Sequence, residues 1–414
     1  MKYIKPSVTK LHGKGDIPLK NEKKLGLVPR LIIGIIVGII LGSYAPAGFN
    51  RIIITMSSFF SSFLKFIIPL MILAFVTMGI ADLSQGAGKL VAATAGISYV
   101  STLVAGVCAY IAATILFPSF ITPSLLENIG NPEAGMLGTY FDLPIPPLLD
   151  VMSAVVLAFM LGLCVSSMKG REIHNAIYDV FNEFTQIINK VLHTVIIPLL
   201  PLYICGTFIN MTVSGQTFTI LNILWKVFAT VITLHLAYLV FAFTVGGLIS
   251  KKNPVFMIKN QIPGYLSAIG TQSSAATIPV NLKCAEANGV SKEIRNFVIP
   301  LCATIHMAGS MITITSCVTA ILMMYKMPHS IGIMIPFMMT LGVVMVASPG
   351  APGGAIMTSL PFLTMVGIPS DGAIASLLVA LYITQDSFGT ACNVSGDNAI
   401  SVIIDTVYQK RIKK

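Results

Sequence analysis

Long apolar runs recur along the whole chain, and polar residues interrupt them at a few places only. A helix that crosses a bilayer needs about 20 mainly apolar residues. On that measure the pattern predicts a first helix over residues 29–44, a second over 57–80 and a third over 90–117. A Pro/Gly-containing loop, 118–147, carries Glu127, Glu133 and Asp142 and no Lys or Arg. A fourth helix then ends near Met168, ahead of Lys169-Gly170-Arg171. The fifth, 172–210, is amphipathic in its first half and holds Pro198 and Pro201, which predict a kink. A sixth helix covers 221–249, a seventh 297–325 and an eighth 373–404. The short alternating segments of a membrane barrel are absent.

Two further stretches are too interrupted to cross. Residues 254–284 contain Pro263-Gly264 and then Gly270-Thr271-Gln272-Ser273-Ser274-Ala275-Ala276-Thr277-Ile278-Pro279. Residues 331–370 contain Ala347-Ser348-Pro349-Gly350-Ala351-Pro352-Gly353-Gly354. Each reads as two half-length arms around a small-residue tip, the pattern of a re-entrant hairpin. Broken backbone at membrane depth is tolerated where it lines a cavity or is covered by protein. Paired interruptions of this kind point to a transporter binding site. The expected fold is therefore an all-α membrane protein with eight transmembrane helices and two re-entrant helical hairpins.

The eighth helix carries unusual chemistry for an apolar segment. At about 100° per residue Asp386, Thr390, Asn393 and Asp397 share one narrow face. Carboxylates inside a membrane helix are costly and face a bundle interior or a water-filled site. The first tip adds Ser273, Ser274 and Thr277 with free amides at half-helix ends, which attract an anionic group such as a carboxylate. The seventh helix adds Thr304-Ile305-His306-Met307-Ala308-Gly309-Ser310. Hard monovalent cations take oxygen ligands, and exposed carbonyls with Asn393 and Asp397 can supply them. Serines in membrane helices also serve packing, and His306 alone reads as a hydrogen-bonded helix residue as readily as a ligand. Asp150 and Asp405, near helix ends, read as solvated.

Composition agrees with the pattern. The 414 residues are 55% hydrophobic and 10% charged, far below the roughly 25% charge of soluble domains. The net charge of +10 does not imply nucleic acid, because Lys and Arg gather in loops and ends. With the N-terminus inside, 21 of the 26 basic residues fall on the inner side, so both termini are expected in the cytosol of a cell-membrane protein. Residues 1–28 read as a basic cytosolic tail. No signal peptide is expected, since the first apolar run follows a long basic stretch. The seven cysteines show no CxxC pair and no ligand spacing, so neither disulfide nor zinc is implied.

Four runs carry a family resemblance: Gln272 to Pro279, Ile299 to Gly309, Gly350 to Met357, and Asp386 to Asp397 ending in Asn393-Val394-Ser395-Gly396-Asp397. In order, spacing and type the last ~150 residues resemble the dicarboxylate/amino acid:cation symporter family, which includes glutamate transporters and the bacterial serine/threonine transporter. The layout extends the resemblance over nearly the whole chain after the tail. It implies a homotrimer in which a scaffold carries elevator-like transport domains. Residues 29–253 would be mainly scaffold and trimerisation helices, with the third and sixth helices partly in the transport domain. Residues 254–409 would form the transport core. The resemblance places Asp386 on the substrate amino group, and Asn393 near its carboxylate. Ser273, Ser274 and Thr277 fall in the first tip's carboxylate cradle. Ala351 and Gly353 of the second tip, the extracellular gate, with Gly389 and Thr390, complete the substrate set. It also places Asp397 and Asn393 on one sodium ion, and Thr304, Met307 and Ser348 on a second. Cys302 and His306 lie within the same cation-binding stretch. Sodium is the expected coupling ion, and no cofactor is expected.

Three departures sharpen this. Gly389 stands where acidic amino acid transporters have an arginine, and between Arg295 and Lys410 only Lys326 is Lys or Arg. A second substrate carboxylate would go uncompensated, so a neutral amino acid is expected. Ala308 replaces the aspartate of a third cation site; Ser101 and Thr102 resemble its hydroxyl partners, but Ser98 stands where a tyrosine is expected. His306 replaces an asparagine, which opens proton coupling as an alternative. An acidic amino acid or dicarboxylate symporter of the same family is a further alternative. An intramembrane aspartyl protease using Asp386 and Asp397 is disfavoured, because eleven residues on one helix separate them by ~16 Å. A passive channel would show currents without accumulation.

Overall fold

The computed structural model describes residues 27–83, 88–122, 136–149, 151–169, 176–215, 217–348, 353–370 and 372–412. Residues 1–26 of the basic tail, Glu127, Glu133, Asp150 and Pro349 to Pro352, and hence Ala351, lie outside them. No strand occurs among the described residues. The helices are α1 (Leu27–Tyr44), α2 (Ala47–Leu83), α3 (Gly88–Leu116), α4 (Val151–Lys169), α5 (Ala176–Val191), α6 (Ile197–Val213) and α7 (Thr217–Ser250). They continue with α8 (Pro254–Thr271), α9 (Ser274–Ala287), α10 (Lys292–Ile305), α11 (Ala308–Met324), α12 (Ile331–Val344), α13 (Gly354–Ser359) and α14 (Ala373–Ile412). Among the described residues, five helical stretches are long and apolar enough to cross a membrane: 47–78, 92–119, 176–213, 220–250 and 292–324. α14 is not among them, since its polar residues lower its hydropathy.

The helices α1, α2, α4, α5 and α6 pack on one another. On α1 the glycines Gly34, Gly38 and Gly42 recur every fourth residue, and α6 lies against all three through Pro201, Cys205 and Thr212. Their missing side chains let two backbones approach closely, the small-residue seam common between membrane helices. The predicted fifth helix is α5 and α6 joined by a wide turn, Leu192–Ile196. Pro198 and Pro201 follow it, and a proline lacks the N–H that a regular helix needs. The chain at 137–140 is strapped to α2 and α6: Arg51 donates to the Gly138 and Thr139 carbonyls, and Leu137 N–H to Asn210.

The rest is built around α14. The helices α7, α8, α9, α10 and α11 all pack against it, and α3 packs on α11 and α12. α8 starts at Asn253, whose side chain accepts from Val255 N–H at 2.9 Å with Pro254 next, a favoured N-terminal arrangement. It ends at Gln272, whose φ of 52° is left-handed, and Ser273 then caps α9 by accepting from Ala276 N–H. The reversal between the arms is thus Gln272-Ser273, not the nearby Gly270. Behind the tip, Ala268 of α8 packs on Ala391 and Val394 of α14. At the far end Lys252 Nζ donates to the Asn288 and Gly289 carbonyls at 2.6 and 3.0 Å, neutralising the C-terminus of α9. Partial burial lowers the pKa of that ammonium, and the nearby Asp405 carboxylate opposes the shift.

Three boundaries differ from the sequence pattern. The second helix begins ten residues early, at Ala47, and the eighth runs on to Ile412. The seventh is broken at His306-Met307, with His306 extended (φ −102°, ψ 106°). Hydropathy runs straight through this break, because both halves are apolar; side chains of other helices supply the partners that the broken backbone needs. Asp405 is buried, not solvated, and accepts from Ser291 Oγ at 2.5 Å.

Candidate functional site

The break between α10 and α11 lies beside α14, and three helices satisfy it. Asn393 Oδ1, from α14, accepts from Gly309 N–H at 2.7 Å and Ser310 N–H at 3.4 Å. It therefore serves as an N-cap from another element for the free amides of α11. Its amide donates to Ser310 Oγ at 3.1 Å and approaches Met307 Sδ at 3.5 Å. Thr102 Oγ1, from α3, accepts from Met307 N–H at 3.2 Å. From α7, His235 Nε2 reaches the Gly309 carbonyl at 3.0 Å and Thr313 Oγ1 at 3.1 Å. Gly309 sits directly on the Gly389 backbone, where a side chain on Gly309 would not fit. Two glycines thereby bring α11 and α14 into backbone contact. A Cβ on Gly389 would instead meet Thr313 Oγ1 at an ordinary 3.5 Å.

The two acids of α14 meet different partners. Asp386 accepts through Oδ2 from Gly353 N–H at 2.6 Å. Gly353 has φ +78° and opens α13, so a half-helix N-terminus with its partial positive charge faces the carboxylate. Asp397 is fully buried, and its Oδ1 lies 2.9 Å from His306 Nδ1. His306 Nε2 lies 3.1 Å from Tyr238 Oη and 3.3 Å from Ser101 Oγ, and those two hydroxyls are 2.6 Å apart. Ser98 Oγ lies 3.5 Å from Cys302 Sγ. Hence Ser98, Ser101 and Thr102 of α3 all face the break.

The remaining expected site residues divide. Thr390 is buried on the same face of α14 as Asp386 and Asn393. Ser273 caps α9, and Thr277 Oγ1 bonds back to the Ser273 carbonyl at 2.9 Å, so both support the tip. Ser274 occupies the first turn of α9, half-buried. Thr304 is exposed and bonds back to the Leu301 carbonyl. Met307 is buried in the break, and the turn that precedes Ser348 packs on α10. Ser348 Oγ has no partner among the described residues. No cluster of three or more His, Cys, Asp or Glu side chains of metal-binding geometry occurs among them.

Sequence reasoning missed His235 and Tyr238. Both are buried and lie three residues apart on one face of α7. A histidine inside an apolar run was the available signal. Tyr382 was also missed as a contact residue; its hydroxyl donates to Ser310 Oγ at 3.0 Å.

Apolar helices of spanning length around a buried polar centre built on broken helices define a multi-pass membrane protein of transporter type. Residues 27–407 match the sequence model of the sodium:dicarboxylate symporter family, and the chain belongs to that family. Among its relatives are excitatory amino acid transporter 1 of Mus musculus and of Bos taurus, each 28% identical over 274 residues, 64% of this chain and 48% of the relative. The Homo sapiens protein of that name is 27% identical over the same span. The chain thus spans about half the length of the curated relatives it matches. The family and these relatives are transporters, not enzymes.

Proposed function

We propose that the protein is a secondary active symporter that imports a neutral amino acid, driven by inward sodium flow. The observation that carries this reading is Asp386. It is buried in the apolar core and 2.6 Å from the amide of Gly353, the residue that precedes α13. A buried carboxylate in that setting calls for a cationic partner, and an amino acid's ammonium group is one. The hairpin α12–α13 would be the extracellular gate, closing over substrate through the same acid. Substrate carboxylate would meet the α9 tip at Ser274, where half-helix amides are free.

Neutrality of the substrate is supported by what surrounds the face of α14. Lys326 is exposed at the far end of α11, and no other Lys or Arg lies between Arg295 and Lys410. His235 is fully buried and already engaged with Gly309 and Thr313. A second carboxylate on the substrate would be stranded at a cost of several kcal/mol. A dicarboxylate substrate, as the family's name describes, fits this chain less well for that reason.

The second cation would sit between Thr304, Met307 and Ser348, under the same hairpin, so that ion and substrate favour one closed state reciprocally. In this reading α8–α9 and α12–α13 are re-entrant hairpins, and residues 254–409 with α3 and α7 form the moving core. The rest is scaffold in a homotrimer with both termini in the cytosol. The test is uptake of a panel of labelled amino acids by proteoliposomes under imposed sodium gradients. Concentrative, sodium-driven uptake of a neutral amino acid is expected. Currents without accumulation or counterflow would refute symport.

A further inference from the structure

The imidazole of His306 is held in one place by three other elements, α14, α7 and α3. Its Nδ1 faces Asp397 Oδ1 on α14 at 2.9 Å, and its Nε2 faces Tyr238 of α7 and Ser101 of α3. The ring lies directly over Gly396, where any Cβ would overlap it. His306 is 1% exposed and Asp397 0%. At that distance Nδ1 and the carboxylate oxygen share one hydrogen bond, so the acid is already partnered by the ring.

A hard monovalent cation beside Asp397 would need a shell of oxygen acceptors. The donor set here is of the opposite kind. The imidazole is hydrogen-bonded to the carboxylate, and its ring lies against the neighbouring Gly396. The Asn393 side-chain oxygen Oδ1 is not spare either, since it already accepts two amide hydrogens. Asp397 Oδ2 has no partner among the described residues, but one free oxygen is not a shell. We propose that His306 takes the place of a coupling cation at Asp397: this carboxylate is not a sodium site in this chain, and transport uses correspondingly one sodium fewer than the resemblance implies. This rests on the symport reading above; the remaining sodium would be the one under the second hairpin.

The test uses the full chain, purified and reconstituted, with sodium chloride as the probe. In His306→Asn the ring is gone and an amide oxygen is supplied. Its sodium midpoint for thermal stabilisation is expected to fall by about tenfold, the worth of one interaction with a charged group, and its Hill coefficient for uptake to rise by about one. In Asp397→Asn, which keeps an acceptor for the ring, sodium stabilisation is expected within about twofold of wild type. Loss of stabilisation in Asp397→Asn would overturn the proposal, as would an unchanged sodium midpoint in His306→Asn. If His306→Asn does not fold, Asp397→Asn decides alone. Failure of the symport reading would look different: no amino acid counterflow in wild type. A gain of sodium binding in His306→Asn would support the role of the ring even then.

Discussion

The hairpin of α8 and α9 is tied to α14 along its length by buried amides. Gln261 Nε2 donates to Asn281 Oδ1 at 3.0 Å, and Asn398 Nδ2 donates to Gln261 Oε1 at 2.5 Å. Asn281 Nδ2 donates to the Val394 carbonyl at 2.8 Å, and Asn288 Nδ2 to Asn398 Oδ1 at 3.4 Å. The hairpin of α12 and α13 meets the same helix through one hydrogen bond among the described residues, Gly353 N–H to Asp386. Fully satisfied buried networks are rigid, and breaking one member strands the others. A single amide on a carboxylate can be exchanged for water or for a ligand. Under the proposed reading, this contrast fits the second hairpin as the gate and the first as part of the body that the gate closes on.

The comparison can be broken at several points. Asp386→Ala removes both the gate's acceptor and the proposed ammonium partner. Uptake is expected to fall by about 100-fold or more, from the roughly 3 kcal/mol of a hydrogen bond to a charged group; normal uptake by a well-expressed variant would contradict the assignment. Gly353→Ala keeps the amide but places a side chain at φ +78°, which costs about 1–2 kcal/mol. Substrate KM is expected to rise about tenfold, with the melting temperature little changed, since only the closed gate is strained. Gln261→Leu strands Asn281 and Asn398. It is expected to cost about 1–3 kcal/mol, read as a lower melting temperature with faster hydrogen exchange in α8 and α9. If exchange quickened in α12 and α13 instead, the division between the hairpins would be wrong. Ser273→Ala removes the α9 cap for about 1 kcal/mol, and exchange should rise only in the first turn of α9.

Much of the helical layout was legible in the sequence because helix signals are local. The apolar runs gave the helices, and the face of Asp386, Asn393 and Asp397 needed only the helical period. The break at His306-Met307 was not legible, because no proline or glycine stands at that point. It is created by Asn393, Thr102 and His235 reaching in from three other helices, and hydropathy does not record such partners. The pairing of Asp397 with His306 spans 91 positions in the chain. From the sequence, the histidine opened proton coupling as an alternative, and only the packing revealed that its ring lies beside the acid. The tip at Ala351 falls outside the described residues.

The account depends most on Asp386 serving an ammonium group with no second carboxylate accommodated. Uptake by proteoliposomes under an inward sodium gradient, with neutral and acidic labelled amino acids in parallel, tests this directly. Accumulation of a neutral amino acid, unaffected by excess glutamate or aspartate, is the predicted result. Preferential accumulation of glutamate or aspartate would contradict it.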